Sequence, residues 1–280
     1  GEVVPAPNPS TSTAVTPLGQ VDVVFPLLHG PYGEDGTVQG LLELAGLPYV
    51  GSGVLGSAIG MDKYAMKRML EAAGIAVAPY TPLREGDRLD AIDVAFPCFV
   101  KPANMGSSVG ISKAHNRAEL EAAVALAFEY DEWILVEDFV PGREIELAVL
   151  GDRSIDVSVP GEVVPGAEFY DYADKYENGT AQLLVPAPLT AAEVERAQRL
   201  AALTFDACRC EGMARVDLFL CDDGSFVVNE VNTIPGFTPI SMYPRLWEAS
   251  GVPYSQLLDR LIAFAISRHD RRHKRAGKQR

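Results

Sequence analysis

Apolar runs, helical spacing and strand-like alternation follow one another along the chain, separated by glycine and proline. Residues 21–28 form an apolar run bounded by turn residues, the pattern of a buried parallel strand. Residues 38–45 have helical spacing closed by Gly46, and residues 48–50 read as a short strand. A helix is expected over 62–73, with Asp62 as N-cap and Gly74 just past its end. Residues 96–100 predict a strand ending at Lys101-Pro102, a strand restarts at Ile111, residues 117–129 predict a helix and residues 134–139 another strand. Residues 144–151 and 154–158 read as antiparallel strands joined at Gly151-Asp152. Thr190-Ala191-Ala192-Glu193 is a capping box opening a helix to about Cys208. Strands over 215–220 and 225–232, a loop over 233–244 and a helix near 254–267 complete the pattern, and residues 1–18 read as linker. Strands and helices mix without strict βαβ alternation, which predicts α+β lobes joined to an α/β beginning, with no internal repeat.

The last pair of strands carries polar residues where a core strand has none. If Asp223-Gly224 is a two-residue turn, residues whose numbers sum to 447 face each other. Asp217 then lies opposite Glu230 and Arg215 opposite Asn232, all on one face. A three-residue loop through Asp222 would shift the pairing by one. Opposed carboxylates repel unless a cation lies between them, and Asp, Glu and Asn are hard oxygen ligands suited to Mg²⁺. The plainer alternative is the solvated face of a half-exposed hairpin.

The 280 residues suffice for two domains with large cores. No apolar run is long enough to span a bilayer, so no membrane partner is expected. The net charge of −14 argues against general nucleic-acid binding. Seven Lys/Arg against one Asp in residues 268–280 make that tail +6, which reads as a frayed, solvated terminus. Cys98, Cys208, Cys210 and Cys221 form no CxxC pair and suit a reducing, cytoplasmic setting.

Two glycine loops compete for a phosphate. Gly51-Ser52-Gly53-Val54-Leu55-Gly56 matches GxGxxG, but a dinucleotide fold wants a helix opening at once, and here the helix is expected only from Asp62. In the second, residues 101–111 (KPANMGSSVGI), a lysine ends an apolar strand and small residues follow. Such a loop can turn backbone N–H groups and the Ser107 and Ser108 hydroxyls toward phosphate oxygens.

Seven segments in this order resemble the D-alanine–D-alanine ligases of the ATP-grasp family: HGPYGEDG (29–36), GMDK (60–63), FVKPANMGSSVGI (99–111), VEDFVPGREIE (136–146), EFYDYADKY (168–176), ARVDLF (214–219) and NEVNTIPGFTPISMYP (229–244). The resemblance implies an ATP-grasp fold, with a nucleotide site between two α+β lobes behind an incomplete α/β N-terminal domain. Residues 1–58 would form that domain, 59–139 the central lobe and 140–280 the C-terminal lobe. Lys63, Lys101, Lys175 and Ser108 would contact ATP phosphates, Glu137 the adenine amine and Glu144 the ribose. Asp217, Glu230 and Asn232 would hold two Mg²⁺ ions, with Mn²⁺ as a substitute. Arg215 and the Gly236 N–H would stabilise an oxyanion. His29, Ser241 and the Met242 N–H would orient substrate, and Ser107 and Tyr176 would surround the first D-alanine.

The implied reaction joins two D-alanines through an acyl phosphate, for peptidoglycan synthesis, in a homodimeric cytoplasmic enzyme. Residues 168–176 would be a lid, and their tyrosines favour the dipeptide over D-alanyl-D-lactate. The family's opening strand and glycine loop has no match before Val21. Another ATP-grasp carboxylate–amine ligase, or a nucleotide binder with an incomplete first-substrate site, is the competing expectation.

Overall fold

A computed structural model of the chain describes residues 21–106, 108–165, 182–238 and 240–276. The elements run α1 (Thr37–Leu44), α2 (Val54–Met61), α3 (Lys63–Ala72), β1 (Tyr80–Arg84), β2 (Cys98–Pro102), β3 (Ser112–Ala114), α4 (Arg117–Phe128) and β4 (Trp133–Asp138). They continue with β5 (Arg143–Gly151), β6 (Ile155–Val157), β7 (Gly161–Val164), β8 (Gln182–Leu184), α5 (Ala191–Ala207), β9 (Gly212–Leu220), β10 (Phe226–Asn232), α6 (Met242–Ala249) and α7 (Tyr254–Ala276).

Two antiparallel sheets carry the architecture. The smaller has the order β1-β4-β2-β3, and the larger β10-β9-β5-β7-β8 with β6 beside β5. Strand alternation decides what each face does. In β2, Cys98 and Val100 point into a core closed by Leu120, Ala123 and Val124 of α4, which leaves Phe99 and Lys101 on the opposite face. In the larger sheet, Ile145, Leu147, Val149, Val216 and Leu218 pack under α5, and Met66 and Leu70 of α3 join that core. The other face packs α6 and α7 over Ala148, Leu150 and Met213. Fully burying each such aliphatic side chain contributes about 1.5–3 kcal/mol.

The predicted caps are present: Asp62 accepts from the Ala65 N–H, Gly74 has φ +72°, and Thr190 and Glu193 close their box. Several expectations are corrected. Residues 21–28 are not a buried strand. Among the described residues their backbone pairs only at Val24, in parallel with Tyr49, and Leu27 and Leu28 are half exposed. A buried parallel strand is covered on both faces, whereas among the described residues this segment has one bridge and two half-exposed leucines. The segment at 48–50 is likewise one bridge rather than a strand.

A helix does open directly after Gly53. Its glycines serve packing: a Cβ on Gly56 would lie 2.4 Å from the Arg209 carbonyl, and one on Gly60 2.6 Å from Thr233 Cγ2. The Arg272 guanidinium lies against Gly53, so a cation already faces this helix start. The loop expected over 233–244 gives way to α6, whose Pro244 sits in the first turn where proline is tolerated.

The basic tail is not frayed through residue 276. Arg268 is buried and donates to the carbonyls of Gly51 and Tyr49, while Arg271 pairs with Asp152 and Arg272 with Glu43 and Glu211. These carbonyls and carboxylates lie far away in sequence, and they hold α7 beyond residue 267.

The hairpin turn also differs. Leu220 pairs with Phe226 and Leu218 with Val228, so the loop has three residues rather than two. A bulge at Asn229 then restores the register, and Asp217 faces Glu230 and Arg215 faces Asn232 as expected.

Candidate active site

Pairing across β5, β9 and β10 lays polar residues out in rows. Glu146 faces Asp217, which faces Glu230; one step on, Ala148 faces Arg215, which faces Asn232; on the other side, Glu144 faces Phe219. All share one face of the larger sheet because directly paired residues do. Asp217 is buried. Arg215 Nε and Nη2 each donate to it at 2.7 Å, and Nε lies 3.2 Å from Glu146 Oε2. Burial works against the guanidinium's charge, but Asp217 and Glu146 outweigh it and hold the Arg215 pKa well above its ordinary value. Asn232 Nδ2 donates to Asp217 Oδ2 at 2.9 Å and to Glu230 Oε1 at 3.4 Å.

Lysines of α3 and of the smaller sheet oppose this face. Lys63, the first residue of α3, donates from Nζ to the Met105 carbonyl at 2.5 Å. Lys101 lies 2.7 Å from Glu137 Oε2, and Lys67 lies 3.3 Å from Glu137 Oε1. Burial favours the neutral form of Glu137, yet Lys101 and Lys67 overcome it and its pKa is lowered. Lys101 also donates to Asn229 Oδ1 at 3.4 Å, a contact that crosses between the sheets.

Between the faces is a cavity of about 340 Å³ whose lining includes Lys63, Lys101, Ser108, Glu137, Glu144 and Glu230. Phe99, Ile111, Phe139 and Val163 give it an apolar wall of a kind that suits an aromatic base. Ser108 has φ +61° and Gly110 φ +70°. A Cβ on Gly110 would press within 2.8 Å of Pro102 and Tyr130, so the loop turns sharply here only with glycine.

Gly236 and Ser241 come together: a Cβ on Gly236 would lie 2.9 Å from Ser241 Oγ. Ser241 Oγ accepts from the Thr238 N–H, and Ser241 occupies the N-cap position of α6 without a side-chain cap, so the Met242 N–H is among the donors a helix start leaves without helical partners. The Met242 side chain packs against Gly161, which pairs with Glu146. His29 is exposed. Ser107, Lys175, Tyr176 and the lid expected at 168–176 lie outside the described residues.

Four residues not singled out from the sequence take part. Glu146 is two positions along β5 from Glu144 and therefore on its face, and Lys67 is one helical turn beyond Lys63. Both periodicities were available to find them. Asn229 enters the cleft only because of the bulge. Glu34 accepts from the Gly30 N–H at 2.6 Å and lies near His29 and Glu230; burial pushes its carboxyl up. No periodicity in a glycine loop marks it.

The donor set suits a hard divalent cation. Asn232 Nδ2 reaches one oxygen of Asp217 and one of Glu230, so the three side chains are gathered together, and all three residue types offer hard oxygen ligands. Among the described residues no three Asp, Glu, His or Cys side chains converge on one point, so an ion here would draw on the Asn232 amide besides the two carboxylates.

Two family models match the chain: "D-ala D-ala ligase N-terminus" over residues 5–52 and "D-ala D-ala ligase C-terminus" over residues 69–263. The first begins ahead of Val21, where the motifs alone show no likeness. The D-alanine–D-alanine ligase of Geobacillus thermodenitrificans is 53% identical over 259 residues, which cover 89% of this chain and 71% of that one. That of Streptomyces coelicolor is 52% identical, covering 90% and 68%. Among solved structures, the D-alanine-D-alanine ligase from Coxiella burnetii superposes with a TM-score of 0.81 at 42% identity, covering 90% of this chain and 70% of that one. The VanG D-Ala:D-Ser ligase from Enterococcus faecalis gives 0.82 at 41%, covering 88% and 73%.

Proposed function

Because the chain belongs to the D-alanine–D-alanine ligase family, with the ATP-grasp fold, we propose that it joins two D-alanines to D-alanyl-D-alanine at the expense of ATP, supplying peptidoglycan synthesis. The observation that carries this reading is the pair of opposed faces, Lys63 and Lys101 across the cavity from Glu144 and the Glu146–Asp217–Glu230 row.

The chemistry has two steps. The carboxylate of one D-alanine attacks the γ-phosphorus, breaking the bond to the β-phosphate oxygen and giving an acyl phosphate and ADP. The amine of the second attacks that carbonyl carbon, a tetrahedral oxyanion forms, and inorganic phosphate leaves as the amine loses its proton. A carboxylate approaching a polyanion needs its charge cancelled. In our assignment, Lys63, Lys101 and Lys175 meet phosphate oxygens with Ser108, and Glu137 and Glu144 meet the adenine amine and ribose. Arg215 and the Gly236 N–H meet the oxyanion, and Ser241 and the Met242 N–H hold the second substrate's carboxylate. His29, Ser107 and Tyr176 complete the substrate contacts.

Asp217, Glu230 and Asn232 are the residues that would hold divalent metal, for which we propose two Mg²⁺ ions. When bound, these lower the negative charge on the phosphates. Arg215 donates to Asp217 and holds that carboxylate in place. A homodimer and a cytoplasmic setting are part of the proposal; the dimer rests on the family likeness alone, and the setting on the need for ATP and reduced thiols.

The test is phosphate release from ATP and Mg²⁺ with D-alanine alone, with D-alanine plus D-serine or D-lactate, and with L-alanine, identifying products by mass. The dipeptide D-alanyl-D-alanine is the expected product. A predominant mixed product in the presence of D-serine or D-lactate would overturn the substrate assignment. Heat protection by ATP without turnover would leave only a nucleotide binder.

A further inference from the structure

Lys67 is fully buried and does not line the cavity, yet it is one of two cations on Glu137. Its ammonium lies 3.3 Å from Glu137 Oε1, 3.3 Å from the Ala78 carbonyl and 5.3 Å above the centre of the Tyr80 ring. Lys101 holds the other oxygen of Glu137 at 2.7 Å. The two lysines are not equivalent. Lys101 lines the cavity and also meets Asn229, so its charge is shared with whatever binds there. Lys67 is shielded from the cavity, so its charge is directed at Glu137.

A buried ammonium is costly and persists where its pairing is close. An ionised carboxylate only accepts hydrogen bonds, whereas a protonated one can donate. A purine with an amine at C6 offers a donor to Glu137, and one with a keto oxygen there offers an acceptor, which faces an ionised carboxylate without a proton between them. We propose that Lys67 is a positioning residue for nucleobase selection: by holding Glu137 Oε1 it keeps that side chain an acceptor aimed at the base, so that 6-amino purine triphosphates are taken and 6-oxo ones refused. This rests on the assignment of Glu137 to the adenine amine.

The experiment compares kcat/KM for ATP and for inosine triphosphate, which carries a keto oxygen at C6 and a hydrogen on N1 in place of the C6 amine and the bare N1. It uses the full chain with saturating D-alanine and Mg²⁺, as wild type, Lys67→Gln, Lys67→Arg, Glu137→Gln and the double variant Lys67→Met/Glu137→Gln. Each preference is a ratio measured on one sample, so a smaller folded fraction does not alter it. Lys67→Gln is expected to lower the ATP preference by roughly tenfold, through the KM for ATP, because a buried hydrogen-bonded charge is lost. Lys67→Arg should retain most of it. The double variant, which removes both charges and so leaves no buried ion unpaired, should match Glu137→Gln alone, because Lys67 acts only through Glu137.

An equal loss with both nucleotides in Lys67→Gln would overturn the proposal and reduce Lys67 to a structural partner. So would a double variant whose preference falls below that of Glu137→Gln. If Glu137→Gln itself leaves the preference intact, the assignment of Glu137 fails and the role of Lys67 goes with it.

Discussion

One side of the cleft presents Lys101 of the smaller sheet, paired with the buried carboxylate of Glu137, and Lys63 at the start of α3; the larger sheet presents Glu144, Glu146, Asp217 and Glu230, with Arg215 paired to Glu146 and Asp217. Each face concentrates one sign of charge and carries one buried ion of the other sign. The minority ion holds the side chains it pairs with in place. The faces differ in what they can bind. The lysine face suits phosphate, and the carboxylate face suits metal.

The largest break in this symmetry should come from Arg215→Met. It leaves Glu146 and Asp217 without the cation that bridges them, and removing one partner of a buried ion pair costs about 3–5 kcal/mol. Phosphate release should fall by roughly 10²–10³-fold if Arg215 also meets the oxyanion. Thermal unfolding should show a lower Tm, and Mg²⁺ should raise it more in the variant than in wild type, because the ion can replace the missing charge. An unchanged Tm in the variant would mean that the carboxylate row does not depend on Arg215.

Acid should act on the lysine face through Glu137. Lys101 and Lys67 hold its folded-state pKa below the ordinary 4.5 despite burial. The unfolded chain therefore takes up this proton more readily, and the stability Glu137 contributes is complete above the unfolded value and lost as pH falls through the folded one. Glu137→Gln should be the less stable protein at about pH 7, by roughly 1.5–3 kcal/mol for hydrogen bonds to a charged group. That gap should narrow below about pH 4, where protonation of wild type begins to mimic the variant. Arg215 behaves oppositely: its folded pKa is held well above the ordinary guanidinium value, so its contribution is present at every lower pH and would be lost only in strong alkali. Urea unfolding of both proteins across this range reads the difference, and a constant gap would show that Glu137 is not the group that titrates.

Much of each face was legible in the sequence because strand periodicity does not depend on tertiary context. Phe99 and Lys101 alternate with Cys98 and Val100, and Asp217, Glu230, Arg215 and Asn232 share a face once the register is known. That register was reached through compensating features. A three-residue turn shifts the pairing by one, and the bulge at Asn229 shifts it back. Neither has a local signature, because Asp222-Asp223-Gly224 accommodates either loop length. The docking of α7 was illegible for a different reason. Arg268 is buried because its partners, the carbonyls of Tyr49 and Gly51, are more than two hundred residues away, and a charge run alone looks solvated.

The smallest effect concerns a hydrogen bond that joins the faces. Asn229 is the extra residue of the bulge, and both it and its neighbour Glu230 line the cavity, although neighbours in a regular strand point to opposite sides. Its Oδ1 accepts from Lys101 at 3.4 Å. An ammonium has three donors, and Glu137 and Asn229 engage two of them, so together they set the direction left for a phosphate. Asn229→Leu keeps the bulk and removes the acceptor. The loss of one hydrogen bond, about 0.5–1.5 kcal/mol, corresponds to a rise of roughly 2–12-fold in the KM for ATP. The Tm and the KM for D-alanine should stay close to wild type, because β10 keeps its register and Asp217, Glu230 and Asn232 keep their places. A changed KM for D-alanine with an unchanged KM for ATP would mean that the bulge serves the carboxylate face alone, and that the lysine face orients Lys101 through Glu137 without help from across the cleft.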